Sequence, residues 1–269
     1  TKDLLMSRSV PYMNGYRSIM DNIGSTRNIG LEFVLTSVNI RNKDFEWRTT
    51  FNLAWNKDEI TKLADNATQD LTNKWFVGES SRVYYDYNVV GTWQTNEATW
   101  DATKKKYINA DGKEIQKGAV PGSAKLEDVN GDGVIDSNDK KVIGSKLPSI
   151  TSALTNNFAY KNVYASFVLT GLFGQWRQMH DYNFDRWMPE FNYLSGMNYW
   201  TEDNPTNEMT SPVYVPFNKH GFYKRMNYVH IKNVTLGYRL PKEWANSLGL
   251  QSIKCDLSVN NLYTFSNIK

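Results

Sequence analysis

Residues 45–56 read FEWRTTFNLAWN. Phe45, Trp47, Thr49, Phe51, Leu53 and Trp55 take the odd positions; Glu46, Arg48, Thr50, Asn52, Ala54 and Asn56 take the even ones. A period of two, greasy on one side and wet on the other, is the pattern of a strand with two unlike faces. Just upstream, Ile29, Leu31, Phe33 and Leu35 alternate with Gly30, Glu32, Val34 and Thr36. The polar residues RNKD (41–44) between the two runs predict a hairpin. A second hairpin sets Ile150, Leu154, Phe158 and Tyr160 against Val163, Ala165, Phe167, Leu169 and Phe173, across a tight Lys161–Asn162 turn. A third pairs Val234, Leu236, Tyr238 and Leu240 with Ile253, Cys255, Leu257 and Val259. Its connection, PKEWANSLGLQ (241–251), has room for a turn of helix, and no other stretch sustains a helical period.

The links between hairpins decide the architecture. Residues 57–148 and 175–225 are long, polar and rich in Gly, Asn and Pro. Compact soluble domains rarely carry structureless loops of that length. Antiparallel strands with short turns at one end and long loops at the other follow the plan of an outer-membrane barrel. The fold class is therefore all-β: a segment of an antiparallel transmembrane β-barrel with long extracellular loops. Phe51 and Leu53 are expected to face lipid, and Arg48 and Asn52 the lumen. Trp47, Trp55, Tyr160 and Tyr238, near strand ends, suit the aromatic girdles of the two interfaces. A β-sandwich with the alternating face as core would explain any single strand. Three hairpins with one short–long rhythm favour the barrel. Six strands cannot close a pore-sized barrel, and an open edge in lipid would leave backbone groups unpaired. The sequence thus reads as part of a larger barrel whose last strand lies elsewhere.

Composition narrows the functions. The chain has 269 residues and a formal net charge of +3, with no basic run or helix suited to nucleic acid. Cys255 is the single cysteine, so neither an internal disulfide framework nor a thiolate metal site can form. No signal peptide and no membrane-spanning helix is legible. Aromatics make up 14% of residues, a high share that tells against a plain soluble protein. His180, His220 and His230 are scattered, and no HExxH, GxSxG or P-loop motif occurs. Asp181 and Asp185 are close in sequence but lie in a polar loop. No enzyme is expected.

Both long loops carry residues with binding chemistry. DVNGDGVIDSND (128–139) has the oxygen spacing of a calcium loop: Asp128, Asn130, Asp132, Asp136 and Asp139, with Gly133 at the sharp turn. The Val134 carbonyl is the expected main-chain ligand. Flanking helices are missing, so a Ca2+ ion here would fold an excursion rather than switch a helix pair. Asp139 stands where Glu is usual and has a shorter reach. The alternative is a plain Asp/Asn/Gly turn cluster. In the other loop, GQWRQMHDYNFDRWMPEFNYLSGMNYW (174–200) mixes Trp and Tyr with Asp, Arg and Asn. Trp176, Arg177, Asp185 and Trp187 are the candidate substrate-binding residues, by stacking on sugar rings and hydrogen bonding to hydroxyls. The same aromatics could instead pack the loop or meet a protein partner.

Several motifs together resemble one family. KNVTLGYRLP (232–241), NNLYTFS (260–266), NIGSTRNIGLEF (22–33), LEDVNGDGVIDSNDKKVIGSKLPS (126–149) and YWTEDNPTNEM (199–209) resemble the C-terminal barrel region of SusC/RagA-type TonB-dependent transporters. Residues 57–120 contribute least. The resemblance implies C-terminal strands of a 22-stranded, plugged barrel in a bacterial outer membrane. It implies import of large nutrients, glycans or oligopeptides, driven by the TonB complex and closed by a SusD-like lipoprotein lid. The plug domain, the TonB-contacting segment and the final strand have no counterpart in residues 1–269, so contact with TonB would fall to other parts of the protein. The rival readings are a secreted, calcium-stabilised β-sandwich that binds carbohydrate, and a passive porin.

Overall fold

The computed structural model describes residues 4–9, 13, 15, 18–179, 196–212 and 220–268. Seven strands form one sheet in chain order: β1 (Leu4–Ser9), β2 (Ser18–Arg41), β3 (Phe45–Lys62), β4 (Ile150–Tyr160), β5 (Val163–Gln178), β6 (Tyr223–Arg239) and β7 (Lys254–Ser266). The pairs β1/β2, β2/β3, β3/β4, β4/β5 and β6/β7 run antiparallel. All three expected hairpins are present in their expected register. Val234 faces Val259, Leu236 faces Leu257 and Tyr238 faces Cys255. The β6–β7 connection carries the expected helical turn, α1 (Lys242–Ser247). In the β2–β3 turn the Asn42 side chain accepts from the backbone N–H groups of Asp44 (3.0 Å) and Phe45 (2.8 Å), closing the corner.

Two elements exceed what alternation predicts. β1 has no alternation to announce it, and β2 spans 24 residues where eight were legible. A tilted strand needs only about 9–11 residues to cross a bilayer. Main-chain pairing continues past the greasy stretch because ladder bonds need no apolar side chain, and Arg27, Lys57 and Glu59 extend β2 and β3 as polar strand.

The chain divides into two compact units. The first comprises Thr1–Arg82, Ser145–Gln175 and Arg225–Lys269 and holds most of the sheet. One face carries Leu31, Phe33 and Leu35 against Trp55, Leu53 and Phe51, then Ile150, Leu154 and Phe158 on β4, and Phe173, Leu169 and Ala165 on β5. Ring contacts tie it together: Phe33–Phe51 at 6.4 Å, Trp47–Phe158 at 5.7 Å and Phe158–Phe167 at 6.1 Å between centroids. Leu31 is 72% exposed and Leu257 71%. That much apolar surface is stable only against lipid or protein. Polar residues on this face satisfy one another: Asn156 Oδ1 accepts from Trp47 Nε1 (2.8 Å) and Thr49 Oγ1 (2.6 Å). The other face is wet. Asn233 donates to Asn260 (2.8 Å), Thr235 bonds Ser258 (2.8 Å) and the Tyr164 hydroxyl bonds Asp256. The Tyr164 ring lies across Gly237, where a Cβ would meet it at 2.2 Å, and Arg239 sits 5.1 Å from the ring centre.

The second unit comprises Val83–Gly144 and Trp176–Lys224. The connection from residue 57 to 148 is therefore not structureless. Short strand pairs, Val89–Thr92 with Ala124–Leu126 and Trp100–Asp101 with Lys106–Tyr107, frame two small cores. Trp93, Tyr107 and Ala119 form one; Tyr87, Leu126 and Ile135 form the other.

Candidate functional site

The DVNGDGVIDSND segment folds as a chain of side-chain-capped turns. Asp128 accepts from the N–H groups of Gly131 (Oδ1, 2.7 Å) and Gly133 (Oδ2, 2.8 Å). Asn130 Oδ1 accepts from Asp132 N–H (3.0 Å), and Asp132 Oδ1 from Val134 N–H (2.9 Å). Asp128, Asn130 and Asp132 each cap backbone N–H groups of their own loop, and Asn130 and Asp132 stay exposed to solvent. Gly133 has φ +77°, a conformation that glycine adopts without cost. At the far end, Asp136 and Asp139 form a reciprocal capping box around Ser137–Asp139. Asp139 is fully buried, and its two oxygens accept from Asp136 N–H (2.8 Å) and Val129 N–H (2.8 Å), so it staples the two ends of the loop.

These residues can be tested for fit to a hard cation. The donors are all oxygen, which suits calcium. Among the described residues no ion pair neutralises Asp128, Asp132, Asp136 or Asp139; the nearby Lys141 is bonded to Glu127 instead (2.7 Å). The uncompensated charge is felt by Tyr87: burial, and then the carboxylates of Asp136 and Asp139, push its phenol above the ordinary range. A carboxylate that accepts one N–H bond at each oxygen retains lone pairs for a metal. No group of three His, Cys, Asp or Glu among the described residues already forms a closed cluster. The donor chemistry fits, but the candidate ligands are not drawn together around one point.

The loop is anchored where spacing rules are silent. Ile135, the single greasy side chain in the second half of the segment besides Val134, is 5% exposed and packs with Tyr87 and Leu126. Its N–H donates to the Ile115 carbonyl at 2.6 Å. Glu127, immediately before the segment, is bonded by Lys141 and Asn88, which hold its carboxyl below the usual range. The neighbouring core is as specific. Gln116, 2% exposed, accepts from Trp93 Nε1 (3.2 Å) and Leu126 N–H (3.0 Å) and donates to Ala124 O (2.8 Å). Gln94 Oε1 accepts from Trp200 Nε1 at 2.7 Å, linking the two loop sequences. Sequence reading missed Gln94 and Gln116 because an amide carries no periodic signal.

Trp176 and Arg177 end β5 as consecutive residues and so project to opposite faces. Trp176 is half-buried against Gly144, where a Cβ would meet its ring at 2.2 Å, whereas Arg177 is exposed. The structure does not bring these two together as one platform. Asp185 and Trp187 lie outside the described residues.

Known proteins place this architecture. No family model matches the chain. A TonB-dependent receptor of Formosa agariphila is 30% identical over 287 residues, an alignment that covers all of this chain and 28% of that receptor. The TonB-dependent receptor SusC of Bacteroides thetaiotaomicron is 26% identical over 255 residues, covering 91% of this chain and 24% of SusC. Along its whole length the chain is similar to TonB-dependent receptors, SusC among them. The solved structure of the RagAB peptide transporter superposes with a TM-score of 0.70 over 99% of this chain and 29% of that one, at 20% identity, so the fold is shared. The chain spans only about 28% of the length of its first curated relative. Those relatives are named as receptors and transporters.

Proposed function

We propose that the complete receptor imports large nutrients, glycans or oligopeptides, across the outer membrane, powered by the TonB complex and closed by a SusD-like surface lipoprotein. The observation that carries this reading is the run of TonB-dependent receptors aligned along 91–100% of the chain. The solved RagAB structures are those of a peptide importer, which keeps oligopeptides beside glycans as cargo. The folded connections of the second unit serve as a seat for the lid. Tyr, Trp, Met and Arg, the types enriched at interface centres, are dense from Trp176 to Trp200. Arg177, with Asp185 and Trp187, meets cargo or lid; Trp176 braces the loop by packing on Gly144.

In the same reading one calcium ion is held by Asp128, Asn130, Asp132, the Val134 carbonyl, Asp136 and Asp139, and its role is structural. It supplies positive charge to four carboxylates in twelve residues, whose mutual repulsion otherwise opposes the fold of the segment.

The test uses the full-length receptor purified from outer membranes. A surface lipoprotein should copurify, and deleting about ten residues around Arg186 to Asn192 should weaken that copurification and slow uptake while the barrel stays in the membrane. Undiminished lid binding and uptake in the deletion would refute the proposed seat.

A further inference from the structure

The greasy face of β2 and β3 ends abruptly at a charged patch. From Phe45 to Trp55 the outward positions of β3 are Phe45, Trp47, Thr49, Phe51, Leu53 and Trp55. Ten steps along a strand tilted about 45° rise about 24 Å, the height of an apolar barrel band. The register runs without a bulge from Arg27 through Ser37, so facing directions carry over without a flip. Leu31 pairs with Trp55, Ile29 with Lys57 and Arg27 with Glu59. Lys57, Glu59 and Arg27 therefore stand on the lipid-facing side, one and two steps beyond Trp55 toward the long connections. Glu59 joins them: Lys57 Nζ lies 3.3 Å from its Oε2, and Arg27 bonds its Oε1. The Arg27 and Lys57 side chains remain 58% and 60% exposed while Glu59 is 14% exposed. Two cations thus point outward over one recessed carboxylate, with a net charge of +1.

We infer that Arg27 and Lys57 grip the phosphate of a glycolipid in the outer leaflet of the outer membrane. The site is continuous with the lipid-facing wall, and its charge complements an anionic headgroup at the height where headgroups begin. Arg supplies a planar fork for two phosphate oxygens and Lys a point charge. Glu59 holds the two cations at a common height and tempers their affinity. The inference rests on the barrel wall and not on import, so it fails or stands independently of the cargo.

The experiment uses the full receptor in neutral detergent and two probes: phosphorylated outer-membrane glycolipid, and the same glycolipid after enzymatic removal of its phosphates. Dephosphorylation should weaken binding to the wild type about thirtyfold, as expected for losing contacts to two cations. The Arg27→Gln/Lys57→Gln variant should bind both probes equally weakly. Glu59→Gln, which removes the competing carboxylate, should bind the phosphorylated probe more tightly than wild type. Equal binding of the two probes by the wild type, which needs no variant to fold, would overturn the inference; so would a double variant that still distinguishes them.

Discussion

Phe51 sits between Leu35 on one neighbouring strand and Leu154 on the other, in the middle of the greasy face. A cation there cannot reach water without disrupting the wall. Phe51→Arg should cost about 2–4 kcal/mol in the intact barrel, measured by denaturant unfolding in a bilayer; Arg substituted at Asn52, on the opposite, polar face of the sheet, should cost little. Alternation alone located Phe51, because a single residue's face follows from parity. It could not locate the bonds of Asn156 to Trp47 and Thr49, which are more than 100 positions away in the chain. Nor could it foresee Tyr164 lying over Gly237, because cross-strand cover leaves no mark in either local sequence. Among the candidate ligands, spacing identified oxygen donors but not the fully buried staple role of Asp139, which depends on where Val129 and Asp136 point their N–H groups.

At the scale of elements, the hairpins were legible because ladder pairing, turn chemistry and face parity all follow from short windows of sequence. The second unit was not. Its strands are two to five residues long, and its cores rest on Trp93, Tyr107, Gln116 and Ile135, which follow no period. A long polar segment therefore looked like loop and proved to be a folded excursion. The DVNGDGVIDSND segment, which joins the Tyr87–Leu126–Ile135 core to Lys141, is the place to probe it. With calcium, proteolysis between residues 83 and 144 should be slow; chelator, or Asp128→Ala with Asp132→Ala, should accelerate it while the hairpins remain protected. Identical cleavage in all three conditions would mean that the capped turns hold the segment without metal.

At the scale of the whole molecule, the short–long rhythm of connections and the resemblance of five separate motifs carried the barrel reading, and the seven-stranded sheet with one greasy and one polar face agrees with it. What the chain's own residues could not specify is cargo, since the same wall surrounds many lumens. The central claim is that this sheet is barrel wall, greasy side to lipid and polar side to lumen, and it is open to direct measurement. Cys255, exposed and opposite Tyr238, is first replaced by Ser. Nitroxide labels are then placed singly at Arg48, Phe51, Asn52 and Leu53 of the full-length receptor in bilayers, and their collision rates with oxygen and with a water-soluble nickel chelate are compared. The account predicts that labels at 51 and 53 favour oxygen and those at 48 and 52 favour the chelate, alternating residue by residue. Chelate-accessible labels at 51 and 53 would contradict it.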